Sequence, residues 1–356
     1  MQAKELIKGR ISSSIMAASS LERASQLACF AGRADIKIVP TGEVADLLGL
    51  GEGRTNQNFI ATDGATGERL FIRIGTDLPA YGVTRAKEQA AAKAAAAVGV
   101  GAAIIHAELP DALVTAFVPG RALTEAQVKA ATGGTDNALL SALTGAIRRL
   151  HETPLPAELA PPAAPSWAPP DVAKWIDVAR GGGYARLPIL DDVDALLDQV
   201  TASMAPWQLG TPHFCHFDLL PDNFVVDDGR AASTVDSDDT VIAVTIVDFE
   251  YANAGAPLMD LAVLSMGCGL SADEENRLVA SYLKKDVPLD AGEAARFQAL
   301  KLLATLRETF WGIVAEVTKC SALTDAQAAA YTDENYAKHL AARKVFEANV
   351  AAGVFA

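Results

Sequence analysis

The sequence predicts an α+β chain in which a small, strand-rich N-lobe precedes a larger, mainly helical C-lobe. From residue 36 to about residue 118, short apolar runs alternate with Gly, Asn and Asp, a pattern typical of strands joined by turns. Beyond residue 120 the pattern is mostly helical, as in residues 137–151. A chain of 356 residues is long enough for two lobes with sizeable cores.

The composition is that of an ordinary globular protein, with 50% hydrophobic and 21% charged residues. The net charge of -14 argues against a general nucleic-acid binder or a partner of anionic membranes, and it fits a cationic substrate. No run of about 18 uninterrupted apolar residues occurs, so we expect no stable membrane anchoring. The cysteines are scattered without C-x-x-C spacing, which predicts reduced thiols in a cytoplasmic protein and no zinc site or disulfide framework.

Residues 1–35 predict an N-terminal helical extension. Leu6, Ile7, Ile11, Ile15 and Met16 recur at roughly helical spacing and would form an apolar stripe. Such a stripe usually packs on the body of the protein, and the alternative is a contact in a homodimer.

Early apolar runs in the N-lobe predict strands at residues 46–50, 58–62 and 70–74, with a hairpin turn at residues 63–67. A Gly-rich segment between the first two strands ends in Thr55, Asn56 and Asn58. Its glycines let backbone N–H groups approach phosphates, and the hydroxyl and amide groups add hydrogen-bond donors. We expect these three residues to bind a nucleotide, although most such segments are only turns.

Arg73 lies in the middle of a predicted strand, where a charge needs a partner. The helix predicted at about residues 84–98 offers Glu88, and a strand cation paired with a helix glutamate positions nucleotide phosphates in kinases. The alternative is an edge strand from which Arg73 points to solvent. The strand at residues 113–118 ends at Pro119-Gly120, where we expect a hinge between the lobes. An adenine base would then bond to backbone groups near Phe117.

The pattern H-x-D-x-x-x-x-N at residues 216–223 sets Asp218 and Asn223 five positions apart on one irregular segment. Asp248 follows a β-branched, apolar strand at residues 245–247, after a polar excursion at residues 227–240. Phosphoryl transfer requires a group that orients the attacking hydroxyl and oxygen ligands for magnesium. Asp218 suits the first task, and Asn223 and Asp248 suit the second. The alternative is ordinary turn and helix-cap chemistry.

Residues 215–224, 247–252, 257–262 and 307–311 together resemble the bacterial choline/ethanolamine kinase branch of the aminoglycoside phosphotransferase superfamily. The resemblance implies a protein-kinase-like bilobal fold with a small mixed-sheet N-lobe, and ATP with Mg²⁺ in the cleft. The resemblance covers roughly residues 36–320. We expect boundaries at 1–35 for the extension, 36–118 for the nucleotide-binding N-lobe and 119–356 for the C-lobe, which would carry the catalytic loop and the acceptor site.

The same resemblance assigns roles to individual residues. Asp218 would be the catalytic base, Asn223 and Asp248 the metal ligands, and Arg73 the phosphate-binding cation paired with Glu88. His216 would brace the catalytic loop, and Asp260 would hold that loop from below through its backbone. Phe217 is a departure, because choline kinases commonly have Asn at this position.

A quaternary ammonium group is bound by aromatic faces and nearby carboxylates. The candidate faces are Tyr251, Phe310 and Trp311, and the candidate carboxylates are Glu250, Glu308 and Glu316. Alternatively, Phe310 and Trp311 belong to the core. We expect an acceptor hydroxyl on choline, ethanolamine or a related amino alcohol; the rival acceptors are aminoglycosides and sugars. A catalytically inactive kinase-like binding protein is the alternative of another class, and retention of Asp218, Asn223 and Asp248 weighs against it.

Overall fold

The computed structural model describes residues 19–33, 35–43, 55–159, 167–227 and 242–355. Four predicted features lie outside these residues: the apolar stripe of the extension, the strand at 46–50, the glycines of the Gly-rich segment and nearly all of the excursion at 227–240.

The N-lobe is built on a five-stranded sheet in the order β1-β2-β3-β5-β4, in which every pair is antiparallel. Its strands are β1 (Ile36–Pro40), β2 (Gln57–Asp63), β3 (Arg69–Ile74), β4 (Ile104–Glu108) and β5 (Ala112–Ala116). The predicted strands at 58–62, 70–74 and 113–118 correspond to β2, β3 and β5, whereas β1 and β4 have no counterpart among the predicted strands. Asp63 stabilises the predicted turn, because its Oδ1 accepts the N–H groups of Ala65 (2.8 Å) and Thr66 (2.9 Å).

The N-terminal segment covers one face of this sheet. Residues 19–25 are helical, and Ala24 and Leu27 are buried in the same apolar cluster as Ile72 of β3. Arg23 forms an ion pair with Glu108 of β4 at 2.8 Å. The described part of the extension therefore packs on the body of the protein and completes the core of the N-lobe.

Helix α1 (Arg85–Ala97) connects the sheet to the C-lobe core. It begins at Thr84, whose side chain accepts a hydrogen bond from the backbone N–H of Lys87 and so satisfies one free donor of the first turn. Its alanines, including Ala91 and Ala95, are buried in the main apolar cluster of the C-lobe. Small side chains allow this close approach, which brings the first turn of the helix beside β3.

The C-lobe is mainly helical, which confirms the predicted α+β class. Its helices are α2 (Glu125–Thr132), α3 (Asn137–Glu152), α4 (Val172–Gly181), α5 (Val193–Met204), α6 (Pro257–Cys268), α7 (Ala272–Leu283), α8 (Ala291–Thr318) and α9 (Asp325–Ala351). Helix α8 is almost completely buried in its second half and packs against α4, α6 and α9. Within the described part of the chain, no helix is both long and apolar enough to cross a membrane.

Two small sheets in the C-lobe hold the predicted catalytic segments. In one, β7 (His213–Cys215) pairs with β10 (Asn253–Gly255); in the other, β6 (Arg121–Ala122), β8 (Phe224–Asp227) and β9 (Ala243–Ile246) lie side by side. Residues 216–223 join β7 to β8, and Asp248 follows β9. The strands thus bring residues 216–223 and Asp248 close together.

Candidate active site

A cleft with a volume of about 270 Å³ lies between the two lobes. Most of the residues predicted for the site line it: Thr55, Asn58, Arg73, Glu88, Phe117, Asp218, Asn223, Asp248, Glu250, Tyr251, Glu308 and Trp311. Asn56, which is 8% exposed, lies behind this lining. The fold therefore brings together residues that are more than 250 positions apart in the sequence.

Asp260, at the start of α6, supports residues 216–223, the predicted catalytic loop, from the core. It is fully buried, and its carboxylate accepts the backbone N–H groups of His216 (2.8 Å) and Phe217 (2.7 Å). His151 of α3 donates its Nε2–H to the same carboxylate at 2.9 Å. Burial alone would raise the pKa of Asp260, but the hydrogen bond from His151 holds it below its usual value.

His216 joins the catalytic loop to the segment that carries Asp248. Its Nδ1 accepts the backbone N–H of Asp218 (3.2 Å), so Nε2 carries the proton and donates to the carbonyl of Val247 (2.9 Å). Burial lowers the pKa of His216 to about 4, which keeps the ring neutral. In this position the ring fixes the backbone of both segments and is not placed to shuttle protons.

Asp218 and Asn223 are in direct contact across the catalytic loop. Asn223 Nδ2 donates to the carbonyl (2.7 Å) and to Oδ2 (3.1 Å) of Asp218. Burial and the nearby charge of Glu308 raise the pKa of Asp218 well above its usual value, and Arg307 opposes this shift. A carboxylate with a raised pKa is a better proton acceptor, which is the property that a general base needs.

Asp248 lies at the end of β9 with φ of 65°, in the left-handed region, and this backbone turn points its side chain into the cleft. Its neighbour Val247 donates a backbone hydrogen bond to the carbonyl of Asn223 at 3.0 Å, so the two predicted metal ligands lie on adjacent segments. An aspartate carboxylate and an asparagine amide offer the hard oxygen ligands that Mg²⁺ takes. The residues present therefore fit a magnesium ion.

His151, Cys215 and Asp260 also bring potential metal-ligand atoms within 4.8 Å of one another. The Asp260 oxygens are already engaged by three N–H donors, and burial raises the pKa of the Cys215 thiol well above its usual value. A neutral thiol and an engaged carboxylate make this cluster a structural one.

Arg73 is 9% exposed on β3, between β2 and β5, so the alternative of a solvent-facing edge strand is wrong. It forms ion pairs with Glu88 of α1, with Asp248 at 2.9 Å and with Glu250 at 3.8 Å. The predicted pair of a strand cation and a helix glutamate is thus present. Arg73 also reaches the predicted metal ligand Asp248, which the sequence did not indicate.

Glu250 occupies the centre of a polar network that joins the lobes. Its Oε1 accepts from Thr55 Oγ1 (2.8 Å), and its Oε2 accepts from Asn56 Nδ2 (3.0 Å) and from Arg85 Nη1 (3.2 Å). Arg85 also pairs with Glu88 at 2.6 Å. Thr55 and Asn56 were expected at the nucleotide and Glu250 at the acceptor, yet here they bind one another. Their contacts with ligands remain predictions.

Two further predicted nucleotide contacts lie on the N-lobe wall of the cleft. The side-chain Oδ1 of Asn58 is buried and has no hydrogen-bond partner within the described residues, so it remains available. The backbone N–H of Phe117 donates to Arg69 O at 3.2 Å, and the Arg69 guanidinium lies 4.0 Å from the centre of the Phe117 ring. A base could therefore bond to Phe117 only through its carbonyl.

At the other end of the cleft, three aromatic side chains surround the predicted acceptor position. Trp311 Nε1 donates to Tyr251 OH at 2.8 Å, and the rings of Trp311 and Tyr331 lie 5.0 Å apart, edge to face. Tyr331 OH donates to Glu308 Oε2 at 2.5 Å, while Arg307 Nη1 donates to Glu308 Oε1 at 2.7 Å. Tyr331 comes from α9, where no sequence motif marks it, and the role of Arg307 was not predicted either.

Two candidates for the acceptor pocket are wrong. Phe310 is fully buried in the core and is not among the residues that line the cleft. Glu316 pairs with Arg186 at 2.7 Å and is not part of the lining. Trp311 belongs both to the core and to the cleft lining, because it is 5% exposed and still lines the cleft.

Phe217, the departure within the motif, is 2% exposed and has a φ of 63°. Its ring packs on Gly255 of β10, where a Cβ atom would lie 2.3 Å from Phe217 Cζ. Among the described residues, the lining of the cleft does not include Phe217. The substitution therefore changes packing beneath the loop and leaves the spacing of Asp218 and Asn223 intact.

Solved structures share this fold. A choline/ethanolamine kinase family protein from Mesorhizobium loti is 24% identical, with a TM-score of 0.65 over 93% of this chain and 99% of that one. A Plasmodium vivax ethanolamine kinase is 15% identical, with a TM-score of 0.67 over 88% and 83%. The choline kinase LicA from Streptococcus pneumoniae is 16% identical, with a TM-score of 0.59 over 86% and 97%, and LicA has also been solved in complex with AMP.

Among curated proteins, no sequence matches the chain. A family comparison, in contrast, matches residues 46–297, from between β1 and β2 of the N-lobe through residues 216–223 and into α8. The matched family is described as the phosphotransferase enzyme family, APH, and the matched residues are the larger part of the chain. The kinase-like fold and the superfamily resemblance are thereby confirmed, and the chain belongs to the APH phosphotransferase enzyme family.

Proposed function

We propose that the protein transfers the γ-phosphoryl group of ATP to the hydroxyl group of a small cationic amino alcohol, such as choline or ethanolamine. The observation that carries the proposal is the position of Asp218 in a cleft whose far end is formed by Tyr251, Trp311, Tyr331 and Glu308. The cleft thus combines a candidate general base with the aromatic faces and the carboxylate that favour a cation.

ATP is expected to lie against the N-lobe, with its phosphates near Arg73. The ion pair between Arg73 and Glu88 holds the guanidinium at the cleft wall, where it can bind phosphate oxygens. The AMP complex of LicA, a protein of the same fold, supports the binding of a nucleotide. Asn223 and Asp248 would hold Mg²⁺, which when bound supplies positive charge against the developing negative charge of the phosphates.

Asp218 would orient the acceptor hydroxyl and take up its proton. Asn223 Nδ2 holds Asp218 Oδ2 at 3.1 Å, so the carboxylate is fixed in direction before a substrate arrives. The loop that carries Asp218 is itself bonded to Asp260 and His216. Such fixed geometry lowers the entropy that must be lost when hydroxyl and phosphate align.

The test is ATP consumption by the purified protein with choline, ethanolamine, an aminoglycoside and simple sugars, with Asp218→Asn as the inactive control. We expect turnover with an amino alcohol and at least about 100-fold less with the control variant. Turnover only with an aminoglycoside or a sugar would replace the acceptor assignment. ATP binding without turnover of any alcohol would favour the inactive binding protein.

A further inference from the structure

A buried ion triad lies beneath the acceptor end of the cleft. Arg307 of α8 is 1% exposed and bridges two carboxylates. Its Nε donates to Asp171 Oδ2 at 3.0 Å, with Nη2 at 2.9 Å from the same oxygen, and its Nη1 donates to Glu308 Oε1 at 2.7 Å. One guanidinium and two carboxylates leave the triad with a net charge of -1.

The triad touches the aromatic side of the pocket. The Arg307 guanidinium lies 4.9 Å from the ring centre of Tyr251 and 5.0 Å from that of Trp175. Arg307, Glu308 and Tyr251 all line the cleft, whereas Asp171 does not. The positive charge of Arg307 therefore lies in the lining of a pocket that is proposed to bind a cation. It would repel that cation unless a carboxylate neutralised it.

Asp171 is the carboxylate that neutralises Arg307. It precedes α4 at the N-cap position, but its side chain makes no capping hydrogen bond and turns to Arg307. Its Oδ1 is buried and has no hydrogen-bond partner within the described residues. Burial raises the pKa of Asp171, and Arg307 opposes that shift. Keeping such a carboxylate costs stability, so capping or packing alone does not explain it.

Asp171 also borders a second cavity of about 200 Å³, which shares Glu250 and Tyr251 with the main cleft. Lys87 and Lys174 line this cavity as well. Neither lysine forms an ion pair with another residue of the described segments, and Lys174 is exposed, so water screens its charge. Arg307 is the cation to which the carboxylate of Asp171 is bonded.

We propose that Asp171, acting through Arg307, determines the preference of the pocket for cationic over neutral acceptors. Because Asp171 neutralises Arg307, the charge of Glu308 remains available to the acceptor. Without Asp171, Arg307 would neutralise Glu308 and the pocket would attract a cation less strongly. This role rests on the proposed function, and Asp171 is a positioning residue that does not touch the acceptor.

The test compares choline with 3,3-dimethylbutan-1-ol, which has the same shape but a carbon atom in place of the charged nitrogen. For Asp171→Asn, we expect the ratio of kcat/KM for choline to that for the neutral alcohol to fall by about tenfold. At an effective dielectric constant of about 20, this factor corresponds to the loss of one charge about 12 Å from the ammonium group. Where the neutral alcohol turns over too slowly, its inhibition constant against choline gives its affinity. The KM for ATP should stay within about twofold.

Two variants control for charge and structure. Asp177→Asn removes the same charge from an exposed position on the same helix and should leave the ratio unchanged. Asp171→Glu keeps the charge and should preserve the ratio even if it lowers overall efficiency. Should Asp171→Asn fail to fold, Asp171→Ser provides a second neutral side chain.

The outcomes separate this role from the proposed function. An unchanged ratio in the Asp171→Asn variant would overturn the role. If both alcohols lose efficiency equally, Asp171 is only a structural support; if neither loses efficiency, Asp171 has no part in the site. Either result would leave the kinase assignment intact. If the unmodified enzyme neither phosphorylates nor binds choline, ethanolamine or the neutral alcohol, the proposed function fails, and the role of Asp171 fails with it.

Discussion

Replacing Asp260 by Asn should detach the catalytic loop from the C-lobe core. The fully buried carboxylate accepts three N–H groups, from His216 (2.8 Å), Phe217 (2.7 Å) and His151 (2.9 Å). An amide of the same shape keeps one acceptor oxygen and presents a donor in place of the other. At least one buried N–H group then loses its partner and faces another donor.

The magnitude follows from these contacts. A hydrogen bond to a charged group contributes about 1.5–3 kcal/mol, and leaving a buried donor unsatisfied costs about 1–3 kcal/mol. We therefore expect Asp260→Asn to lower the free energy of unfolding by about 3–5 kcal/mol. Asp218 follows two residues after His216, so a loosened loop would shift its carboxylate. Because a displacement of about 1 Å can slow a reaction about 100-fold, we also expect kcat to fall by about 100-fold.

Unfolding in guanidinium chloride, followed by circular dichroism, measures the first effect, and ATP turnover measures the second. The matched control is Asp286→Asn, an exposed aspartate of the same lobe, which should change stability by no more than about 0.5 kcal/mol. A loss below about 1 kcal/mol for Asp260→Asn, together with normal turnover, would refute the argument.

The other predictions concern the reaction, the acceptor and pH. Asp218→Asn should lower kcat by at least about 100-fold with nucleotide affinity nearly unchanged in calorimetry, and normal turnover would remove Asp218 from its role. Trp311→Leu should raise the KM for a cationic acceptor by about tenfold, since a desolvated cation–π contact contributes up to about 2 kcal/mol. The KM for ATP should change little, and an unchanged acceptor KM would assign Trp311 to the core alone. Burial lowers the pKa of His216 and of His339 from 6.5 to about 4. Between these pH values the unfolded chain binds more protons than the folded one, so the free energy of unfolding should fall as pH drops from about 6.5 to about 4. His339→Gln should make this fall shallower by about 3 kcal/mol, and an identical pH profile would contradict the assignment.

The catalytic segments could be predicted because chemistry fixes their spacing. Phosphoryl transfer would require Asp218 and Asn223 to face one metal-bound phosphate, and this requirement sets their separation in the motif. Arg73 could be predicted because a charge within a strand requires a partner. Each of these inferences depended on a short stretch of chain and a single physical requirement.

The acceptor pocket could be predicted only in part, because it depends on how distant helices pack. Helix α8 is buried on nearly every side in its second half, so helical periodicity could not decide that Phe310 faces the core while Trp311 reaches the cleft. Tyr331 enters from α9, and Asp171 lies at the N-cap of α4; neither belongs to a motif. The partners of Glu250 likewise lie in the other lobe.

The contact between Phe217 and Gly255 constrains how this sequence can change. With the Phe217 ring in place, any larger residue at 255 would have to displace the ring or the strand, and overpacking of this kind costs about 1–3 kcal/mol. A smaller residue at 217, such as asparagine, would remove the obstacle. The two positions are therefore expected to vary together among related sequences, so that the glycine accompanies the aromatic residue and a side chain at 255 becomes acceptable only after the ring has been lost.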